Sequence, residues 1–166
     1  MKLFVILISL LTPNIIFAGS INIIGEKGKV SEVTRTVVIK MYDNYYEPSE
    51  FNVKKDETIK FIISNEGELV HEFNIATKEM HIKHQPEMMM MVENEILLPD
   101  KIDKEKMKKM AMKNSAMGHS HSNSVLLVPG EKGELIWKFN NKVKIEAACN
   151  VPGHYQIGMI AKINDI

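Results

Sequence analysis

The sequence predicts an all-β sandwich interrupted by a partly helical insertion, and three observations lead there. β-Branched and aromatic runs recur at both ends of the chain, turn-forming residues separate them, and the middle has a different composition. "VTRTVVIKM" (Val33 to Met41), "ETIKFIIS" (Glu57 to Ser64) and "HEFNIA" (His71 to Ala76) read as the first strands. "DNYYEPSE" and "SNEGE" read as the turns between them. "VLLV", "GELIWKF", "KVKIEAA" and "GMIAKIN" supply the later strands; Leu135, Trp137 and Phe139 alternate with Glu134, Ile136 and Lys138, the pattern of a half-buried strand. About seven short strands separated by turn signals suggest two packed sheets.

Residues 78–124 break this pattern and read as an insertion between two strands. Pro86 before "EMMMMVENEIL" predicts a short helix with proline in its first turn and Pro99 as its stop. Asp103 is placed to cap a second helix over "KEKMKKMAMKN". "NSAMGHSHSNS" is small and polar and reads as a loop.

Ahead of the sandwich stands "MKLFVILISLLTPNIIFAGS": a basic start at Lys2, an apolar run from Leu3 to Leu11, and small residues at Ala18, Gly19 and Ser20. These are the three parts of a secretory signal peptide. Pro13 and Asn14 interrupt the apolar run before it reaches the roughly 20 residues needed to span a bilayer. Cleavage is expected after Ala18, with Ser20 fitting almost as well, and no later segment is apolar enough to span. The expected organisation is a signal peptide over residues 1–18 and one domain over 19–166, exported to the periplasm as a soluble protein.

Lys plus Arg and Asp plus Glu both number 21, so the formal charge is zero, which argues against a nucleic-acid or anionic-membrane partner. The single cysteine, Cys149, excludes an internal disulfide. In an oxidising compartment an unpaired thiol is a liability unless a partner or a metal occupies it.

"CNVPGHYQIGM" (residues 149–159) supplies a reason for that thiol: Cys149, His154 and Met159 fall on a Cys-x4-His-x4-Met spacing, with a turn at Pro152 and Gly153. A thiolate, an imidazole and a thioether are soft ligands, and two histidines, one cysteine and a long axial methionine hold type 1 copper. The second histidine must come from elsewhere. His71 begins a predicted strand, and the other four histidines lie in the insertion, so His71 is the candidate.

"NEG" before "HEF", together with "ACNVPGHYQIGM", resembles the cupredoxins, and the "VPGEKGELIWKF" strand and the Met/His-rich insertion are similar to periplasmic cupredoxin-like copper-tolerance proteins. The resemblance runs from about Val33 to Ile163. It implies a Greek-key β-sandwich with His71, Cys149 and His154 as equatorial copper ligands and Met159 as the axial one. Glu72 departs from the pattern of blue-copper carriers, where the residue after the first histidine is often an asparagine bonded to the cysteine loop.

Six histidines are too few for a multicopper oxidase, and one cysteine excludes a dinuclear centre bridged by two. A type 1 site leaves no open position for substrate, so the expected chemistry is one-electron exchange or copper capture, not catalysis. Of 12 methionines, nine lie between Met80 and Met117. That crowding predicts a second, weaker Cu(I) site drawn from Met80, Met88, Met89, Met90, Met91, Met107, Met110, Met112 and Met117, with His81, His84, His119 or His121 contributing. The expected role is sequestration or transfer of periplasmic copper, with copper ions and a redox or copper-exporting protein as partners. The alternative is a diffusible electron carrier that docks through Val151, Pro152, Tyr155 and Ile157. A cuprous oxidase using both sites is a third reading.

Overall fold

The computed structural model describes residues 21–140 and 142–165; the expected signal peptide and cleavage point lie outside them. Among the described residues ten strands form two five-stranded sheets. In spatial order the first contains β1 (Glu26–Lys27), β8 (Lys132–Lys138), β5 (Thr58–Asn65), β2 (Arg35–Tyr42) and β3 (Tyr45–Glu47). The second contains β4 (Glu50–Val53), β10 (Ile160–Asp165), β9 (Glu146–Ala148), β6 (His71–Ala76) and β7 (Ser124–Leu127). β2 runs parallel to β5 and β4 to β10, while every other pair is antiparallel. A four-residue helix, α1 (Ile21–Ile24), precedes β1, and Trp137 Nε1 donates to the Ile24 carbonyl at 3.1 Å.

Alternation within the strands builds the core. Phe61 of β5 and Phe73 of β6 face each other with ring centroids 5.4 Å apart, and Phe51, Tyr46 and Phe139 pack around them. Burying each such ring contributes on the order of 2 to 3 kcal/mol.

Two expectations need correction. "DNYYEPSE" is not merely a turn, since it contains β3 and the first residue of β4. Asp43 and Asn44 alone make the hairpin turn, and Tyr46 alternates inward to full burial. The density of Asp, Asn, Pro and Ser obscured a three-residue strand. The first helix of the insertion, α2 (Lys78–Glu93), starts eight residues ahead of Pro86 and ends before Pro99. Thr77 caps it, its hydroxyl accepting from Met80 N at 3.3 Å, and Asn94 closes it. Pro86 sits inside the helix, where packing of the inner face outweighs the lost hydrogen bond.

That inner face explains the insertion. His81, Met88 and Met91 are buried and His84 nearly so, which is an i, i+3, i+7, i+10 stripe on one side of α2. Its apolar half joins Val70, Ile96, Leu97 and Met117 in a second hydrophobic cluster. α3 (Lys104–Ala111) follows, capped by Asp103, whose carboxylate accepts from Lys106 N at 2.9 Å. A 3-10 turn (Ser115–Gly118) leads back to β7. The insertion lies on the outer face of the second sheet, so β6 is buried along its whole length. Among the described residues no helix is long and apolar enough to cross a membrane.

Candidate metal centre

Antiparallel pairing of β6 with β9 brings the start of one beside the end of the other. His71 opens β6, Cys149 directly follows β9, and His154 and Met159 lie in the loop running on to β10. Hydrogen bonds close that loop on itself: Cys149 N donates to the Met159 carbonyl at 3.2 Å, Met159 N to His154 O at 3.0 Å, and His154 N to Val151 O at 2.9 Å. Gly153 makes the turn before His154 with φ +93°, a conformation that a side chain would strain.

The result is a convergent set. Cys149 Sγ lies 3.4 Å from His154 Nδ1 and 4.0 Å from His71 Nδ1. Cys149, His71 and Met159 are fully buried, and His154 is only partly so. Burial pushes the Cys149 thiol up to about 12, against a hydrogen bond from Glu72 N to the sulfur at 3.4 Å. Burial also lowers both His71 and His154, favouring the neutral imidazoles that a metal requires.

One supporting residue escaped the sequence reading. Asp43, in the β2–β3 hairpin turn, places Oδ1 2.8 Å from His71 Nε2. That contact makes Nε2 the protonated nitrogen and leaves the Nδ1 lone pair facing the sulfur. Amides of Glu68 and Leu69 donate to the same carboxylate at 3.1 Å. Gly67 permits this approach, because a Cβ there would collide with the Asp43 carboxylate and come within 3.0 Å of His71 Nε2. Its only sequence signal was a turn-forming aspartate 28 residues away from the histidine.

Glu72 faces the other side of β6. Its Oε2 accepts from Asn150 N at 3.2 Å and Asn150 Nδ2 at 2.8 Å, so the residue after His71 bonds to the cysteine loop through a carboxylate. Its Oε1 accepts from Ser124 Oγ at 2.6 Å and Asn74 Nδ2 at 3.1 Å, and meets His119 Nε2 at 2.8 Å and His84 Nε2 at 3.2 Å. Burial works to raise this carboxyl, but the hydrogen bonds from His119 and His84 outweigh it and hold Glu72 well below the usual range.

Of the residues expected to supply a Cu(I) site, six methionines meet in the second hydrophobic cluster. Met88, Met91 and Met117 are core residues of the second cluster, with Met90, Met107 and Met110 packed against it. Met80 packs on the main core, and Met89 and Met112 are exposed. His81 is buried beside the cysteine loop, its Nδ1 accepting from Asn150 Nδ2 at 3.1 Å. His84, His119 and His121 gather beside Glu72, with nitrogens within 4.8 Å of one another.

The comparisons agree with this architecture. A family model described as "Cupredoxin-like domain" matches residues 14–101. The chain is 35% identical over 152 residues to the "Copper-resistant cuproprotein CopI" of Pseudomonas aeruginosa, covering 84% of this chain and 80% of that one. It is 29% identical over 140 residues to the protein of the same name from Rubrivivax gelatinosus, covering 84% and 71%. Among solved structures, reduced auracyanin from Roseiflexus castenholzii superposes with TM-score 0.56 at 18% identity, over 81% of this chain and 98% of that one. Auracyanin B superposes with TM-score 0.59 at 12% identity, over 86% and 96%. At these identities the structures establish a shared fold.

Proposed function

Because the chain belongs to the cupredoxin family, we propose that it is a periplasmic copper-binding protein of copper tolerance that holds one copper in a type 1 centre. The observation that carries this reading is the set of three donor atoms at the sheet end, the Cys149 sulfur faced by Nδ1 of both His71 and His154. The likeness to two copper-resistant cuproproteins supports the tolerance role, and the secretory signal supports the compartment.

His71, Cys149 and His154 are the strong ligands and Met159 the weak axial one. The donor set fits: one thiolate, two neutral imidazoles and a buried thioether match the soft and borderline preferences of copper. Bound copper supplies one-electron exchange between Cu(II) and Cu(I). The chain holds the ligands ready for either state. Asp43 fixes the His71 tautomer, the Glu72 amide bonds the sulfur, and the hydrogen-bonded loop from Cys149 to Met159 limits rearrangement. Four protein ligands leave no position for substrate, so the role is capture and transfer of copper, not catalysis.

Addition of Cu(II) to the purified protein gives an intense thiolate-to-copper band in the visible, and Cys149→Ser abolishes it. A strain lacking the protein loses growth on copper, and the Ser variant does not restore it. A coloured Ser variant would overturn the ligand assignment. One observation favours the electron carrier instead: His154 borders an apolar cleft lined by Leu69, Val92, Leu98, Pro99 and Pro152, a surface suited to docking a redox protein. Normal growth on copper with slowed respiration in the deletion strain would establish that reading in place of tolerance.

A further inference from the structure

Period-two alternation along β6 points His71 and Glu72 to opposite faces of the second sheet. His71 goes to the cysteine loop. Glu72 goes beneath the insertion, where three imidazoles meet it. The ring centroids of His84, His119 and His121 lie 4.9 to 5.4 Å apart in every pairing. Each ring has a carboxylate partner: His119 has Glu72, His121 has Glu87 at 2.9 Å, and His84 lies between Glu72 at 3.2 Å and Glu87 at 3.3 Å. Three elements separated in sequence supply these groups: β6, the inner stripe of α2, and the segment between the 3-10 turn and β7.

Such an assembly is costly unless something uses it. Glu72 is fully buried and the side chains of His84 and His119 are only 10% and 4% exposed, so ionisable groups have been taken out of water. His119 also holds a left-handed backbone conformation, φ 44° and ψ 47°, strained for a residue with a side chain. His121, 33% exposed, opens the cluster to solvent.

We propose that His84, His119 and His121, gathered around Glu72, form a second metal site that takes Cu(II). Three imidazoles backed by carboxylates are borderline nitrogen donors, and Cu(II) binds such donors most tightly among the common divalent ions. Both His84 nitrogens face carboxylates, so the metal enters as one of them releases its nitrogen and the ring gives up a proton to solvent. This differs from the thioether Cu(I) site expected from the methionine count. The choice of copper rests on the reading of the first site; the choice of ligands does not.

Glu72 also ties the two sites together. It follows His71 in the chain, its amide bonds the Cys149 sulfur, and its carboxylate joins Asn150 to His119 and His84. Filling the second site therefore alters the hydrogen bonds that shape the first.

A Cu(II) titration of the purified protein, followed by visible absorption and electron paramagnetic resonance, tests the proposal. Two equivalents bind: one gives the intense band, and the other gives a type 2 signal with nitrogen couplings and shifts that band as it fills. In a His84→Ala/His121→Ala double variant the second equivalent weakens by roughly 10-fold or more while the band remains. The retained band shows that the variant is folded, and the single His121→Ala change, at a partly exposed residue, weakens the second equivalent in the same direction. A second equivalent bound equally well by both variants, or none in the wild type, overturns the proposal. Loss of the band alone, with a His84-dependent Cu(II) still present, refutes the Cys149 assignment and leaves this site standing.

Discussion

The two clusters on either side of β6 differ in what surrounds them as much as in what composes them. Cys149, His71 and His154 come from a strand start and one tight loop, stand at the end of the main core, and have one carboxylate, Asp43, bonded directly to a ring. His84, His119 and His121 come from an insertion, sit over a sheet face, and share two carboxylates, Glu72 and Glu87. The first cluster is neutral and sulfur-bearing. Burial raises the Cys149 thiol and lowers the His71 imidazole, so without metal its groups shed charge. In the second, burial opposes charge on His84, but Glu72 and Glu87 override it and raise that imidazole to about 10. The contrast teaches that burial alone does not set the character of a site; the nearest carboxylates decide which groups stay charged.

The largest effect should come from the residue common to both. Glu72→Gln replaces a carboxylate oxygen by an NH2 group, and each oxygen is already surrounded by donors. Breaking one partner of a buried charge cluster costs about 3 kcal/mol, or roughly 10 °C in Tm of the metal-free protein. The same variant should bind the second Cu(II) less tightly and shift the visible band of the first. Thermal unfolding and the titration described above measure all three, and an unchanged Tm would show that the cluster is not an integral part of the fold.

Asp43→Ala separates the clusters. It removes the group that orients His71 and leaves the insertion untouched, so copper at the first site should weaken by about 10- to 100-fold while the second site keeps its affinity. Competition against a chelator of known affinity reads both. Parallel losses at the two sites would show that Asp43 acts through general stability.

How much of this the sequence carried depended on distance along the chain. The Cys-x4-His-x4-Met loop was legible as a candidate because the three proposed ligands lie within 11 residues on one loop. His71, the remaining proposed ligand, could be placed near the loop because it opens a strand. Asp43 was not legible, since an aspartate in a hairpin turn is ordinary and only the packing of one sheet on the other brings the β2–β3 turn to His71 at the start of β6. The insertion was harder to read for a related reason. Methionines and histidines are mixed in sequence, but residues 81, 84, 88 and 91 share one face of α2, and that stripe changes from imidazole to thioether halfway along. Glu72 and Asn74, polar residues on the outer face of β6, lie under the first half, and Val70 and Leu97 belong to the apolar cluster under the second.

Met159→Leu tests the first cluster more gently. Met159 is fully buried and its backbone bonds to Cys149 and His154, so leucine preserves packing and loop shape while removing a weak donor. Copper and colour should remain and the reduction potential should rise, because loss of the donor destabilises Cu(II) more than Cu(I). Met41→Leu, a buried methionine of the main core that is not among the proposed ligands, serves as the control. Cyclic voltammetry decides it, and an unchanged potential would remove Met159 from the ligand set.

The smallest effect, and the sharpest test of how the first cluster is supported, is Gly67→Ala. Nothing in the backbone angles at Gly67 demands glycine, since its φ is not positive, so any cost must come from what the new methyl meets. It meets the Asp43 carboxylate, Asp43 N at 3.0 Å and His71 Nε2 at 3.0 Å. The flexible member of that group is the Asp43 side chain, which should swing away and lengthen its bond to His71. Stability should fall by about 1 kcal/mol, as for a modest overpacking, and copper affinity at the first site by a few-fold, roughly a tenth of the Asp43→Ala effect or less. The double variant makes the route explicit. With Asp43 already alanine the methyl has no carboxylate to displace, so Gly67→Ala added to Asp43→Ala should cost almost no further affinity, a non-additivity expected of residues that act through one contact. Additive losses would mean that Gly67 acts on His71 directly or on the turn itself, and any loss at the second cluster would show that the two faces of β6 are less separate than their geometry indicates.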